Sequence, residues 1–186
     1  MKSVLISIQP KWCELIANGK KTIEARKTRP KIETPFKCYI YMTKTGNKPI
    51  KIIEGKNGIA CLEIDYKMAG KVIGELVCDL IEKYQYSDSN YGGIDMDCQA
   101  LEDTCLTKEE AEQYAKCNPL YGWHISNLKI YDKPKEPGEF KKPCEAEFAI
   151  DYCCGCPYDK KRRENGGDCN RQITRPPQSY CFVEEL

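Results

Sequence analysis

The stretch Gly19-Lys20-Lys21-Thr22-Ile23-Glu24-Ala25-Arg26-Lys27 constrains the fold more than any other, because it closes a short amphipathic helix and opens a strand of alternating charge. Pro10 suits the first turn of that helix, where a missing amide costs nothing, and Trp12, Leu15 and Ile16 recur on one face at i, i+3 and i+4. Gly19 then caps it. In the strand that follows, expected over Lys20 to Thr28, period two turns Ile23 and Ala25 inward and gives Thr22, Glu24 and Arg26 the opposite face. Glu24 and Arg26 are about 6 to 7 Å apart along such a strand, close enough to act on one bound group or to pair with each other. Lys21 leaves the turn just before them. Its ammonium either lines the mouth of a barrel or curls back over the charged face.

The rest of the chain supplies a setting for this strand. Val4 to Ile8 reads as a buried strand, and Cys38 to Met42 as another. Thr43 to Gly58 is rich in Lys, Gly, Asn and Pro and reads as a loop. Val72 to Tyr84 is apolar on both faces, as a central strand covered on each side would be, with Gly74 permitting a bend or bulge. Tyr86 to Asp97 reads as a loop. Thr107 and Glu110 have the spacing of a capping box, which starts a helix running to about Cys117. Tyr121 to Tyr131 forms a further strand around a bulge, with Trp123 and Ile125 buried. His124, the only histidine, has no cysteine or acid beside it in sequence and is read as structural. Lys133 to Pro143 is a proline-punctuated crossing, and Ser179 to Val183 a closing strand. Several strands with two or three helices between them give an α+β barrel rather than a βαβ array.

A length of 186 residues suits one domain with an appendage: residues 1–143 as the main domain and 144–186 as a cysteine-rich extension packed on it. The first apolar run is too short for a membrane span or a signal-peptide core, and we read the chain as cytoplasmic, with no membrane partner. A net charge of +1 excludes a protein that coats polyanions with its whole surface. The charge is nonetheless uneven. Between Lys20 and Lys31 six basic residues face the single acid Glu24, and Lys160 to Arg163 with Arg171 and Arg175 form a second basic group. Phosphate is the ligand such groups suit. Trp12, Trp123 and Tyr180 offer faces on which a base can stack.

Thirteen cysteines without an export signal point to reduced thiols, most of them small apolar core residues. One group differs. Cys153 and Cys156 stand at the spacing of a metal knuckle, and Cys169 and Cys181 complete a tetrahedral set, with Cys154 as an alternate for Cys153. An all-cysteine zinc site leaves no open position, so this zinc would be structural. No phosphate loop, dinucleotide fingerprint, nucleophile elbow or metalloprotease helix occurs in the sequence.

Gly19-x-Lys21-x-x-Glu24-x-Arg26 resembles the G-x-K-x-x-E-x-R signature of ASCH domains, the activating-signal-cointegrator homology group of the PUA-like superfamily. Ser7-Ile8-Gln9-Pro10-Lys11-Trp12 resembles the family's strand and Gln-Pro turn, Gly70 to Glu75 its central strand, and Trp123 to Ser126 its later tryptophan-bearing strand. The cysteine-rich end, closing on Pro176 to Cys181, is similar to an extension in small ASCH-like proteins of phages and their bacterial hosts. The resemblance implies a PUA-like β-barrel with flanking helices, and a small zinc-knuckle-like C-terminal lobe on this chain. It also implies a cleft beside the first helix in which Lys21, Glu24 and Arg26 meet RNA or a nucleotide-like ligand. Chemically, Lys21 and Arg26 can hold phosphate while Glu24 accepts hydrogen bonds from a base edge or orients the arginine.

One branch of that family hydrolyses N4-acetylcytidine with a lysine matching Lys21 and a threonine nucleophile, and the threonine position is Glu24 in this chain. A carboxylate does not take over that role directly. An amidohydrolase would instead rest on Lys21 and Glu24 as catalytic residues, with Thr22 nearby and Glu110 or Glu112 as a later acid. The departure at Glu24 favours a basic binding cleft, lined by Lys21, Glu24, Arg26, Trp12 and Trp123, over hydrolysis. A phage protein-interaction module is a further alternative. The zinc expectation has its own check. Elemental analysis of the purified protein is expected to find about one zinc per chain, and less than about half an ion would remove it.

Overall fold

A computed structural model describes residues 2–44, 68–87, 92–144 and 171–186. Strand β1 (Lys2–Ile8) runs into helix α1 (Pro10–Ala17), then come β2 (Ile23–Arg26) and β3 (Phe36–Met42). The long strand β4 (Val72–Tyr84) is followed by the small hairpin of β5 (Tyr86–Ser87) and β6 (Gly93–Ile94), by α2 (Cys98–Thr104) and α3 (Lys108–Ala115), and by β7 (Leu120–Lys135). After a short 3-10 turn at Pro137–Glu139, β8 (Tyr180–Glu184) completes the order. Among the described residues no helix is long and apolar enough to cross a membrane.

Six strands form one sheet in the order β2-β7-β4-β3-β1-β8. All its neighbours are antiparallel except β1 and β3, which run parallel because α1 and β2 lie in the connection between them. The fold is therefore α+β. The closed barrel expected from the sequence is corrected: among the described residues no ladder joins β2 to β8, the two ends of the sheet. Side chains span the gap instead. Arg26 Nη2 donates to the carbonyl of Ser7 on β1, and Tyr180 Oη on β8 donates to the carbonyl of Arg29 just after β2. Of the segment 144–186, residues 171–186 are described, and β8 is paired to β1 from Lys2↔Glu184 to Ile6↔Tyr180. Cys153, Cys154, Cys156 and Cys169 lie outside the described residues.

Among the described residues three apolar clusters divide the interior. The largest joins alternate residues of β1, β3 and β4 with Cys13 and Ile16 of α1 and with Trp123 of β7. A second covers the other face of β1 and β3, where Leu5, Tyr39 and Tyr41 meet Phe140 and Ile173. The third lies under α2 and α3, around Tyr84, Ile94, Ala111 and Leu120. Each helix thus buries a narrow apolar stripe against the sheet, which stabilises these short helices more than propensity does.

Most element boundaries follow the sequence signals. Thr107 accepts from the Glu110 amide and Glu110 returns a bond from the Thr107 amide, completing the capping box, and α3 ends at Ala115 because Lys116 and Cys117 turn left-handed. Strand β2 is shorter than expected. The amides of Lys20 and Lys21 both donate back to the Leu15 carbonyl, so these residues finish the α1 cap rather than begin the strand, with Gly19 at φ +68°. Three differences are additions. The hairpin of β5 and β6 stands in the region read as a loop, α2 is an element the sequence reading lacked, and β7 extends into the start of the expected crossing, as far as Lys135. Asp97 caps α2 by accepting from the Ala100 amide.

Gly74 sits where the β4–β7 register slips. A Cβ there would lie 2.5 Å from the Lys129 carbonyl oxygen. Gly74→Ala is therefore expected to destabilise the fold by about 1–3 kcal/mol, seen as a lower urea midpoint at unchanged slope.

Candidate functional site

The alternation in β2 is as expected, but its direction is not. Glu24 stands opposite Trp123 and Arg26 opposite Tyr121 in the β2–β7 ladder, so both project onto the face that carries the main core. Ile23 and Ala25 project the other way. Ile23 there packs against Tyr84 across Gly122, beside the cluster under α2 and α3. All four strand residues are consequently buried, and the exposed polar face expected for Glu24 and Arg26 does not exist.

Lys21 takes the second of its two open courses and curls back over the charged face. Its Nζ donates to the carbonyl of Thr104 at 2.6 Å and lies 3.5 Å from Glu24 Oε2. Thr104 is the last residue of α2, so the ammonium occupies the end of that helix where carbonyls lack intrahelical partners. The other oxygen, Glu24 Oε1, lies 3.1 Å from Arg26 Nε, near but off the axis of a good hydrogen bond. The three side chains are 2%, 10% and 9% exposed for Lys21, Glu24 and Arg26. One carboxylate thus holds two cations out of water, and each cation is also tied to a backbone carbonyl of another element, α2 for Lys21 and β1 for Arg26.

A cleft of 440 Å³ opens over this triad. Lys21, Glu24 and Arg26 line it, and Trp12 of α1 and Tyr114 of α3 contribute its aromatic surface. Gln9, Thr43 and Gln178 add neutral polar groups, and Glu110 a second carboxylate. Among the described lining residues two cations face two carboxylates. Tyr114 is the wall residue that the sequence reading missed. The signal was present, since Tyr114 stands four residues after Glu110 and so shares its face of α3.

Other predicted residues lie elsewhere. Trp123 does not line the cleft. It is 2% exposed, with its ring edge-on to Phe36 and tilted against Tyr180 in the core, so the stacking roles expected for Trp123 and Tyr180 are corrected to packing. Thr22 is turned away from the triad: its Oγ1 donates to Asp103 Oδ1 at an exposed position. His124 also lies outside the cleft, with Nε2 3.1 Å from Glu82 Oε2. Cys181 is half-buried on β8 beside the second cluster, and burial pushes its thiol up. Among the described residues no group of three or more His, Cys, Asp or Glu could hold a metal ion.

Protonation favours a fixed, polarised site. Burial pushes the Cys13 thiol well above its ordinary range, with the Glu24 charge adding to the effect, so Cys13 remains a thiol donating to the Ile8 carbonyl. Burial also lowers Lys21 from its ordinary value of 10.5, opposed by the attraction of Glu24. Between the lowered folded value and 10.5 the unfolded chain binds the extra proton, so the contribution of Lys21 to stability rises with pH. The stability of wild type relative to Lys21→Met is expected to increase as pH rises towards about 10. Urea unfolding of both proteins across that range checks this, and parallel curves would contradict it.

No protein-family model matches the chain, and no curated protein matches it in sequence. Solved structures do match. The ASCH protein of Zymomonas mobilis is similar at a TM-score of 0.52 and 16% identity, over 98% of this chain and 88% of that one. A tyrosine-to-phenylalanine variant of the same protein is similar at 0.52 and 15% identity, over 100% of this chain and 92% of that one. The chain has the fold of these ASCH structures.

Proposed function

We propose that this chain is a binding module for RNA or a nucleotide-like ligand, which enters the cleft over Lys21, Glu24 and Arg26. The observation that carries the proposal is the meeting of all three motif residues in one cleft beside two aromatic rings, Trp12 and Tyr114. Aromatic faces suit a base, because stacking needs only a π surface, and a carboxylate held between two cations is an oriented acceptor for the base's N–H groups. The ASCH fold shared with the Zymomonas mobilis protein is compatible with this proposal.

Binding is favoured over hydrolysis by a specific feature. The position that holds a nucleophilic threonine in the resembling amidohydrolases is Glu24, and the neighbouring hydroxyl of Thr22 is committed to Asp103 outside the cleft. Acetylated cytidine is therefore expected to survive incubation with the protein. Product formation that disappears in Lys21→Ala would instead make the protein an amidohydrolase.

The binding proposal is tested with short single-stranded RNA at low salt. Trp12→Leu is expected to weaken binding by about 1–3 kcal/mol, the contribution of one stacked base. RNA binding that is undetectable at low salt, or unaltered in a folded Lys21→Ala and Arg26→Ala double variant, would falsify it.

A further inference from the structure

The sequence assigns phosphate to Lys21 and Arg26, and the geometry turns the donors of Lys21, with Nε and Nη2 of Arg26, towards the protein. An ammonium has three donor directions. Those of Lys21 are turned to the Thr104 carbonyl at 2.6 Å, to Glu24 Oε2 at 3.5 Å and to the ring of Trp12, whose centroid is 4.9 Å away. Arg26 points Nη2 at the Ser7 carbonyl and has Nε against Glu24 Oε1. A phosphate placed between them would also meet the Glu24 carboxylate, and Glu110 adds a second carboxylate to the lining. The interior is thus suited to a flat, neutral group that offers N–H donors.

Exposed positive charge lies beside the cleft, on its aromatic residues. Lys11 and Lys27 are exposed, and each places its ammonium over one of the two cleft aromatics: Lys11 at 4.4 Å from the centroid of Trp12, Lys27 at 5.0 Å from that of Tyr114. Neither has a carboxylate within ion-pair distance among the described residues. The two rings that would face a base therefore each carry a cation, while the floor beneath them is charge-balanced.

Resting on the binding role proposed above, we infer that the cleft divides its ligand. The base enters and meets the outward side of the Glu24 carboxylate between Trp12 and Tyr114, and the phosphates remain outside on Lys11 and Lys27. The recognised class is a single-stranded nucleotide or oligonucleotide, read by its base and held by its backbone.

The test compares the four ribonucleosides, their 5′-monophosphates and a short single-stranded RNA, each at low and high salt, on wild type and a Lys11→Gln, Lys27→Gln double variant. Both lysines are exposed, so folding is not at stake, and isothermal titration calorimetry provides a common readout. The expected result is that at least one nucleoside binds with little salt dependence and equally well to both proteins. RNA should bind the double variant several-fold more weakly, with the slope of log affinity against log salt reduced by about 0.7 per lysine removed. Unchanged RNA affinity and slope in the double variant, with nucleoside binding intact, would overturn the division while leaving the binding module standing. RNA binding without nucleoside binding would overturn the placement of the base. Failure of every probe to bind would remove the parent proposal and the division with it.

Discussion

The Glu24 carboxylate ties together parts of the chain that are distant in sequence. Through Lys21 it reaches the end of α2, and through Arg26 it reaches the end of β1, on the far side of the gap in the sheet. Burying three charges is costly, and it is tolerable only where each finds a partner of opposite sign or an aligned dipole. Here both conditions hold, with one carboxylate between two cations and a backbone carbonyl behind each cation. Removing the carboxylate would leave two unpaired buried charges, a defect of about 3–5 kcal/mol for a broken buried pair. The triad is therefore as much a part of the fold as of the cleft above it.

That double role explains why the charges balance among the described residues that line the cleft. Cations that hold the fold together have given their donors inward, and what faces the opening is an acceptor flanked by aromatic surface. A site built in this way distinguishes ligands by hydrogen-bond pattern and shape, whereas long-range attraction comes from the exposed lysines around it. The phenol of Tyr114, its pKa raised, remains neutral, and the exposed ring faces the cleft.

Much of this was legible in the residues. The Pro10 to Gly19 helix, the alternation of β2, the long covered strand β4 and the Thr107–Glu110 capping box each rest on local chemistry, and each appears in the structure. What the sequence could not supply was direction. Period two separates Ile23 and Ala25 from Glu24 and Arg26, but it does not say which side is the interior, and a strand buried on both faces defeats the habit of turning charges outward. Helix α2 escaped for a related reason. Its seven residues have little intrinsic stability, and its place depends on contacts distant in sequence, such as the Thr22 amide donating to Asp103 and Lys21 reaching Thr104. Tyr114 became part of the wall only once α3 was packed against β6.

The placing of β1 carries a consequence for how the chain acquires its shape. The strand lies between β3 and β8, so a segment near residue 4 is finished by one near residue 182. Until β8 arrives, β1 presents an unpaired edge, and the carbonyl of Ser7 that anchors Arg26 belongs to a strand still open on one side. Pairing over such a sequence distance is slow to form because the loop must close before the contacts reward it. During synthesis the cleft would therefore be among the later features to set, after the local helices and the β4–β7 pairing are already in place.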